Sequence, residues 1–205
     1  MTGSHRSPHI LVVDALRRHW RVVLSAIAVF VVVAGVEISM GRLPLGPHGR
    51  LGFWEGDIWS SEQSQRFADP YTFSHTIHGM LFYAFLWLVA RRLPERYRFI
   101  GALVLEGAWE ILENSPIIIN RYREATISLG YVGDSVFNSL SDIVFAGFGF
   151  LFAWRSRLWV TVLVIIAMEV GTALWVRDNL ALNIIMLVHP VDAIKAWQTA
   201  GRPLP

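Results

Sequence analysis

Three sets of polar residues stand at helical spacing inside otherwise apolar stretches of this 205-residue chain. His75 and His78 are three apart, Glu106, Glu110 and Glu113 are four and three apart, and Asp134, Asn138 and Asp142 are four and four apart. On an α-helix each set occupies one face. Imidazole nitrogens and carboxylate oxygens together suit zinc, manganese or magnesium, which makes His75, His78, Glu110 and Asp142 candidate ligands for a divalent metal. The same groups can carry protons, and His78 and Glu110 are the acid/base candidates for a hydrolysis or transfer at a phosphate or acyl group. Asn120, Arg121, Tyr122 and Arg123 lie between the second and third sets. Arginine there could pair with the carboxylates or grip an anionic head group, and Arg121 is expected to fold back onto Glu113 or Asp134.

Each set also has a plainer reading. The histidines could be interfacial polar residues near a helix end, and Glu106 with Glu110 could be an interhelical hydrogen-bond pair that specifies packing. Asp134 alone reads more readily as an N-cap, because the first turn of a helix favours Asp. Asn138 and Asp142 lie too deep for capping. Glu37 and Glu169 are isolated and read as helix-pairing or interfacial residues. Gly147 and Gly149, with Ala146, suit close helix contact better than chemistry.

The elements that position these residues are membrane helices. Apolar residues make up 54% of the chain and charged ones only 17%, against about 25% in soluble domains. Five stretches approach the roughly 20 residues that a span needs, near 20–40, 73–90, 99–114, 135–154 and 159–176. The expected fold is therefore all-α, a single membrane domain (1–205) forming a polytopic transmembrane bundle of about five spanning helices. The piece from Leu180 to Val188 is too short to cross and reads as re-entrant or interfacial, with a polar tail after it. The first apolar run lacks a convincing cleavage site and is expected to stay as an anchor.

Arg17, Arg18 and Arg21 precede the first span; Arg91, Arg92, Arg96 and Arg98 follow the second; Arg155 and Arg157 join the fourth and fifth. The positive-inside rule then predicts a cytoplasmic N-terminus and an external C-terminus. The loops 41–72 and 115–133 fall outside, so the polar faces meet at the external end. Charges in hydrocarbon cost roughly 2.5 to 3.5 kcal/mol each, so three polar faces in one bundle are expected to converge on a shared site. Absent cysteines exclude disulfides and thiolate chemistry. A net charge of +2 gives no footprint for nucleic acid, and the bilayer is the expected partner. A proton-coupled carrier fits poorly, because no internal repeat is visible. The alternative to a binding site is a non-catalytic protein whose polar cluster fixes packing and whose loop binds a partner.

The stretch EGAWEILENSPIIINRYREATISLGYVGDSVFNSLSD from Glu106 to Asp142, with SSEQSQ and SHTIHG upstream, closely resembles a family of uncharacterised bacterial integral membrane proteins. The resemblance covers roughly residues 41–155 and implies a location in the cell inner membrane. A more distant similarity is to VanZ-like membrane proteins, whose pattern matches Glu110, Glu113, Arg121, Asp134 and Asn138. That resemblance implies a link to the cell envelope, to envelope lipids or glycolipids. It adds Glu113, Asp134 and Asn138 to His78 and Glu110 as catalytic candidates and supports Arg121 as a substrate-binding one, beside Arg123, which its place in the same loop offers. Two positions depart from the pattern: Glu113 replaces an amide, and Ser141 stands where glycine is expected.

Overall fold

The computed structural model describes residues 8–128 and 130–201, with side chains from residue 20 onward. The extreme N-terminus, the last four residues of the tail and the side chains of Arg17 and Arg18 lie outside the described residues. Eight helices follow in order: α1 (Pro8–Ser39), α2 (Thr72–Ala90), α3 (Glu95–Glu113), α4 (Pro116–Ala125), α5 (Val136–Arg155), α6 (Leu158–Val176), α7 (Leu180–Val188) and α8 (Asp192–Thr199). No strand occurs among the described residues beyond one isolated bridge between Trp54 and Ala68.

Four helices are long and apolar enough to cross a membrane: the Trp20–Ser39 part of α1, then α2, α5 and α6. The fifth expected span, α3, equals them with 19 residues but carries Glu95, Arg96, Arg98, Glu106, Glu110 and Glu113. At 1.5 Å per residue it extends roughly 28 Å, close to the roughly 30 Å of a hydrocarbon core. It packs against α1, α2 and α5, and Glu106 and Glu110 are wholly buried. Its deep charges thus face protein, while Glu95 and Arg96 in its first turn stay exposed.

Residues 115–133, expected as a loop, contain helix α4. Ser115 accepts a hydrogen bond from the Ile118 amide and Pro116 stands in the first turn, a start signal that outweighs the polar composition downstream. The bundle is built on α2 and α5, which share its most extensive contact. A Cβ added at Gly79 would lie 1.8 Å from the Ala146 carbonyl oxygen, and one at Gly149 would lie 1.9 Å from that of Thr76. Backbone therefore touches backbone, the device membrane helices use where apolar burial gives no drive to associate. Gly147 faces elsewhere, onto Phe99 and Leu103 of α3. On the other side, Val33, Leu103 and Ile143 join α1, α3 and α5 in an apolar core, with Gly107 admitting Val29 and Val33.

Contacts fix the relative directions. His75 meets Asp142, Gly79 meets Ala146 and Tyr83 meets Phe150, each step four residues along both helices, so α2 and α5 run parallel. His75 reaches Glu106 and Glu110 while Gly101 packs on Leu86, so α3 runs opposite to α2. The start of α2, the end of α3 and the start of α5 consequently share one end of the bundle, as alternating crossings require.

The segment 41–71 at this end folds inward. Ser64, Gln65 and Asp69 are buried, and the carbonyls of Leu43, Pro44 and Ser64 accept from the Val136, Phe137 and Ser135 amides at 2.9, 3.2 and 3.1 Å. Asn138 and Ser141 donate to the carbonyls of Arg66 and Phe67. The first turn of α5 is thus satisfied by this segment, in a position where no lipid could supply acceptors or donors. Phe53 and Trp54 of this segment are both exposed, Phe53 stacking on Phe67 with centroids 5.5 Å apart and Trp54 on Trp175 at the end of α6 with centroids 5.8 Å apart.

Candidate functional site

The three polar faces meet at that end of the bundle. Glu106 stands at the centre. Its Oε1 lies 2.6 Å from His75 Nδ1, and His78 Nδ1 lies 3.2 and 3.1 Å from its two oxygens. Glu110, one turn along, brings Oε1 to 3.3 Å from the same His75 nitrogen, and Asp142 Oδ2 lies 3.8 Å from His75 Nε2. The two imidazoles meet edge to face at 5.3 Å. His75, Glu106, Glu110 and Asp142 are all buried and His78 is half-buried, both histidines being turned onto Glu106 of α3.

Beside this cluster lies a cavity of about 260 Å³, lined at its polar end by His75, His78, Glu113, Asp134, Asn138 and Asp142. Asp69, Tyr71, Tyr122 and Tyr131 add to the wall. No lysine or arginine among the described residues lines it. The carboxylates are incompletely satisfied: both Glu110 oxygens, Asp142 Oδ1 and Glu113 Oε2 are buried without a hydrogen-bond partner. Buried polar atoms of that kind are rare, because each forgoes its solvation with nothing in return. His75, His78 and Glu106 offer ligand atoms all within 4.8 Å of one another, and so do His75, Glu110 and Glu113. Bond lengths near 2.0 to 2.2 Å from nitrogen and oxygen to a metal are compatible with either group.

Outside the spans, burial dominates the titration of the wall. It pushes the Asp134 carboxyl well above its usual range, with the nearby Glu113 charge adding to the effect and the Tyr131 hydroxyl, 2.9 Å away, opposing it. Burial likewise raises Asp69 against the hydrogen bonds it accepts from the Tyr71, Ser64 and Thr72 amides. Tyr71, Tyr122 and Tyr131 are all held well above the usual phenol range by burial first and neighbouring carboxylates second. They remain hydroxyl donors at any physiological pH.

Several expectations change here. Arg121 does not pair with Glu113 or Asp134: its Nε donates to the Leu187 carbonyl at 2.7 Å and its terminal nitrogen to that of Val188 at 3.4 Å. Arg123 donates to the Tyr131 carbonyl at 2.5 Å and stays exposed. Both brace backbone, Arg121 at the end of α7 and Arg123 in the segment before α5. Neither lines the cavity. The N-cap of α5 is Ser135, whose hydroxyl accepts from the Asn138 amide, so Asp134 is left to the cavity. Glu37 is not isolated. It is buried on α1 and accepts from Asn114 Nδ2 at 3.2 Å, and that amide also reaches Ser139 at 3.0 Å. Glu169 accepts from the Leu180 and Ala181 amides at 3.1 and 3.0 Å, holding the start of α7.

Reading by period put Glu106 on the right face yet outside the ligand set, although it is the residue both histidines touch. It also left out Asp69, Tyr71 and Tyr131, which come from irregular segments. The Asp-Pro pair at 69–70 before a helix start was the available signal for the first of these.

The chain belongs to the family described as "Protein of unknown function (DUF2585)", which matches residues 37–200. It is 50% identical over 182 residues to a UPF0314 protein of Sphingopyxis alaskensis, covering 87% of this chain and 95% of that one. A UPF0314 protein of Agrobacterium fabrum is 52% identical over 162 residues, 79% of this chain and 82% of the relative. One of Paracoccus denitrificans is 46% identical over 194 residues, 95% and 98% of the two chains. No solved structure matches the chain.

Proposed function

We propose that this is a bacterial inner-membrane protein whose cavity holds a divalent cation and, through it, a polar or anionic head group at the external face of the bilayer. The observation that carries the reading is the state of the carboxylates. Glu110 and Asp142 are buried beside His75 with unpartnered oxygens, and the cavity wall contains no lysine or arginine to neutralise them. A cation supplies the missing charge and binds the oxygens that nothing else uses. His75, His78, Glu106, Glu110 and Asp142 are the candidate ligands. A reaction at the head group would be hydrolysis or transfer at a phosphate or acyl centre, with His78 at the cavity wall as the group that takes and returns the proton. The similarity to VanZ-like proteins supports an envelope lipid as the source of that head group. Three of its five pattern positions, Glu113, Asp134 and Asn138, line this cavity; Glu110 stands in the cluster beside it, and Arg121 does not line it.

Orientation rests on Arg91, Arg92, Arg96, Arg98, Arg155 and Arg157, all at the end of the bundle away from the cavity. The chain has no cysteine, so single cysteines at Ser61 and Ser156 report it. An impermeant reagent added to whole cells should label the first and spare the second. The cation is tested by elemental analysis of detergent-purified protein dialysed against manganese or zinc. About one equivalent should be retained by the wild type and lost in His75→Gln. A wild type that retains none removes the cation reading.

A further inference from the structure

The cavity wall is of two chemistries. Beside the acids and histidines stand Phe82 of α2, Trp109 of α3, and Leu180, Ile184 and Leu187 of α7, with the His78 ring against Phe82 and Trp109 at 5.9 and 6.0 Å. With 9 residues α7 is too short to cross a bilayer, and Ile184 is half exposed on it. Yet α7 is pinned along its length. Glu169 holds its first amides, Tyr122 donates to Asn183 at 3.1 Å, and Arg121 grips its last carbonyls. A short apolar helix fixed in this way supplies one apolar side of the cavity.

We infer that the occupant is an amphiphile, a phospholipid with a primary-amine head, whose chain lies along the apolar wall under α7. The assignment rests on the cation reading above and extends it. With both histidines neutral as ligands, one divalent cation does not balance the carboxylates of Glu106, Glu110, Glu113 and Asp142. A simple anion would add to the excess negative charge, whereas a zwitterionic head places its phosphate on the cation and its ammonium among the remaining oxygens. Asp142 provides the independent mark of a ligand: it is 3% exposed, lines the cavity, and leaves Oδ1 without a partner. The apolar wall accounts for the rest of the molecule, since a chain transferred along Trp109 and Leu187 leaves neither water nor a gap behind it.

Calorimetry on the full chain in detergent, with manganese bound, separates the parts of this assignment. The probes are lyso-phosphatidylethanolamine, lyso-phosphatidylglycerol of the same chain, and chainless glycerophosphoethanolamine. The first should bind at least tenfold more tightly than either of the others. Equal affinity for the chainless probe overturns the apolar wall, and equal or tighter binding of the glycerol head overturns the amine. Trp109→Ala and Leu187→Ser should each abolish the advantage of the chain while the manganese content stays at the wild-type level. Two variants guard against one that fails to fold, and a wild-type melting curve qualifies each. Retained preference for the lyso-lipid in both well-folded variants also overturns the wall. Binding of the lyso-lipid with both preferences but without any manganese supports the amphiphile and removes the cation reading, so the two ideas fail separately.

Discussion

Two regions of this molecule bury acids, and they treat them differently. At the junction of α6, α7 and α8, every carboxylate oxygen of Glu169 and Asp178 accepts a hydrogen bond. Glu169 takes the Leu180 and Ala181 amides; Asp178 takes the Asn179 amide, the Gln198 side chain at 2.9 Å and the Tyr71 hydroxyl at 2.9 Å. Among α2, α3 and α5, Glu110 has two unpartnered oxygens and Asp142 one. The first arrangement uses its acids to close helix ends and join a loop to the C-terminal helices. The second leaves buried carboxyl oxygens beside histidine without hydrogen bonds, which is costly for stability and is what the cation proposed above would relieve. Burial is common to both regions; full hydrogen bonding of the carboxylates belongs to the first alone.

The harshest way to break the contrast is to move α2 away from α5. In Gly79→Val the added Cβ would fall 1.8 Å from the Ala146 carbonyl, a backbone atom that cannot give way without shifting the helix. The change should cost about 3 kcal/mol or more. It should also separate His75 from Asp142, so thermal unfolding in detergent and manganese content should both fall. A melting temperature equal to wild type would mean the helices do not touch at this point.

Next in size is Glu106→Gln. The amide keeps the shape but withdraws one charge from the carboxylate that both histidines share. Cation retention should fall at least tenfold while the melting temperature holds or rises, because a buried charge has been removed. A packing role predicts the reverse, with lower stability and nothing else to measure.

Glu169→Gln sharpens the same comparison from the other side. The amide can accept only one of the two backbone donors at the start of α7, so stability should fall by about 1 kcal/mol with cation content unchanged. Loss of the cation in this variant would erase the distinction between the two regions.

How much of this was legible beforehand follows from what sequence period can carry. His75 with His78, Glu110 with Glu113, and Asn138 with Asp142 each declared a helix face, because a charge inside a span has to be turned from lipid. That Glu106, one turn deeper, is the residue both histidines touch depends on the antiparallel register of α3 on α2, which no spacing within one helix encodes. The inward fold of 41–71 was hidden for a different reason. Its glycines and prolines mark turns but not their destination: the Ser64 and Gln65 carbonyls accept from Ser135 at the start of α5, and Asp69 accepts from the Tyr71 and Thr72 amides at the start of α2. Arg121 was misassigned on proximity in the chain. Its true acceptors, the carbonyls of Leu187 and Val188, lie 66 and 67 residues away and become near only when α7 folds back. The small-residue crossing was half visible, with Gly149 recognised on α5 and its counterpart Gly79 lost beside the more conspicuous His78.

The last expected effect is one of pH and concerns the fully partnered region. Asp178 lies beyond the end of α6, and burial raises its carboxyl to about 6, against hydrogen bonds from Tyr71, Asn179 and Asn183 that pull it down. An acid whose folded value lies above its ordinary 3.8 binds more protons folded than unfolded between the two. Its contribution is therefore fully present below about pH 4 and is lost as pH rises through about 6. The rise from 3.8 to about 6 bounds that contribution at something on the order of 3 kcal/mol. The wild type should therefore melt at progressively lower temperature between pH 4 and pH 7, once the response of other groups is subtracted by comparison with Asp178→Asn. That variant cannot ionise but still accepts from Tyr71 on its carbonyl oxygen. Its melting temperature should depend less on pH across this window, and the two curves should draw apart toward pH 7 with the variant above. Parallel curves would mean that Asp178 titrates in the folded protein as it does in the unfolded chain, and that complete hydrogen bonding offsets the whole desolvation cost of a buried acid.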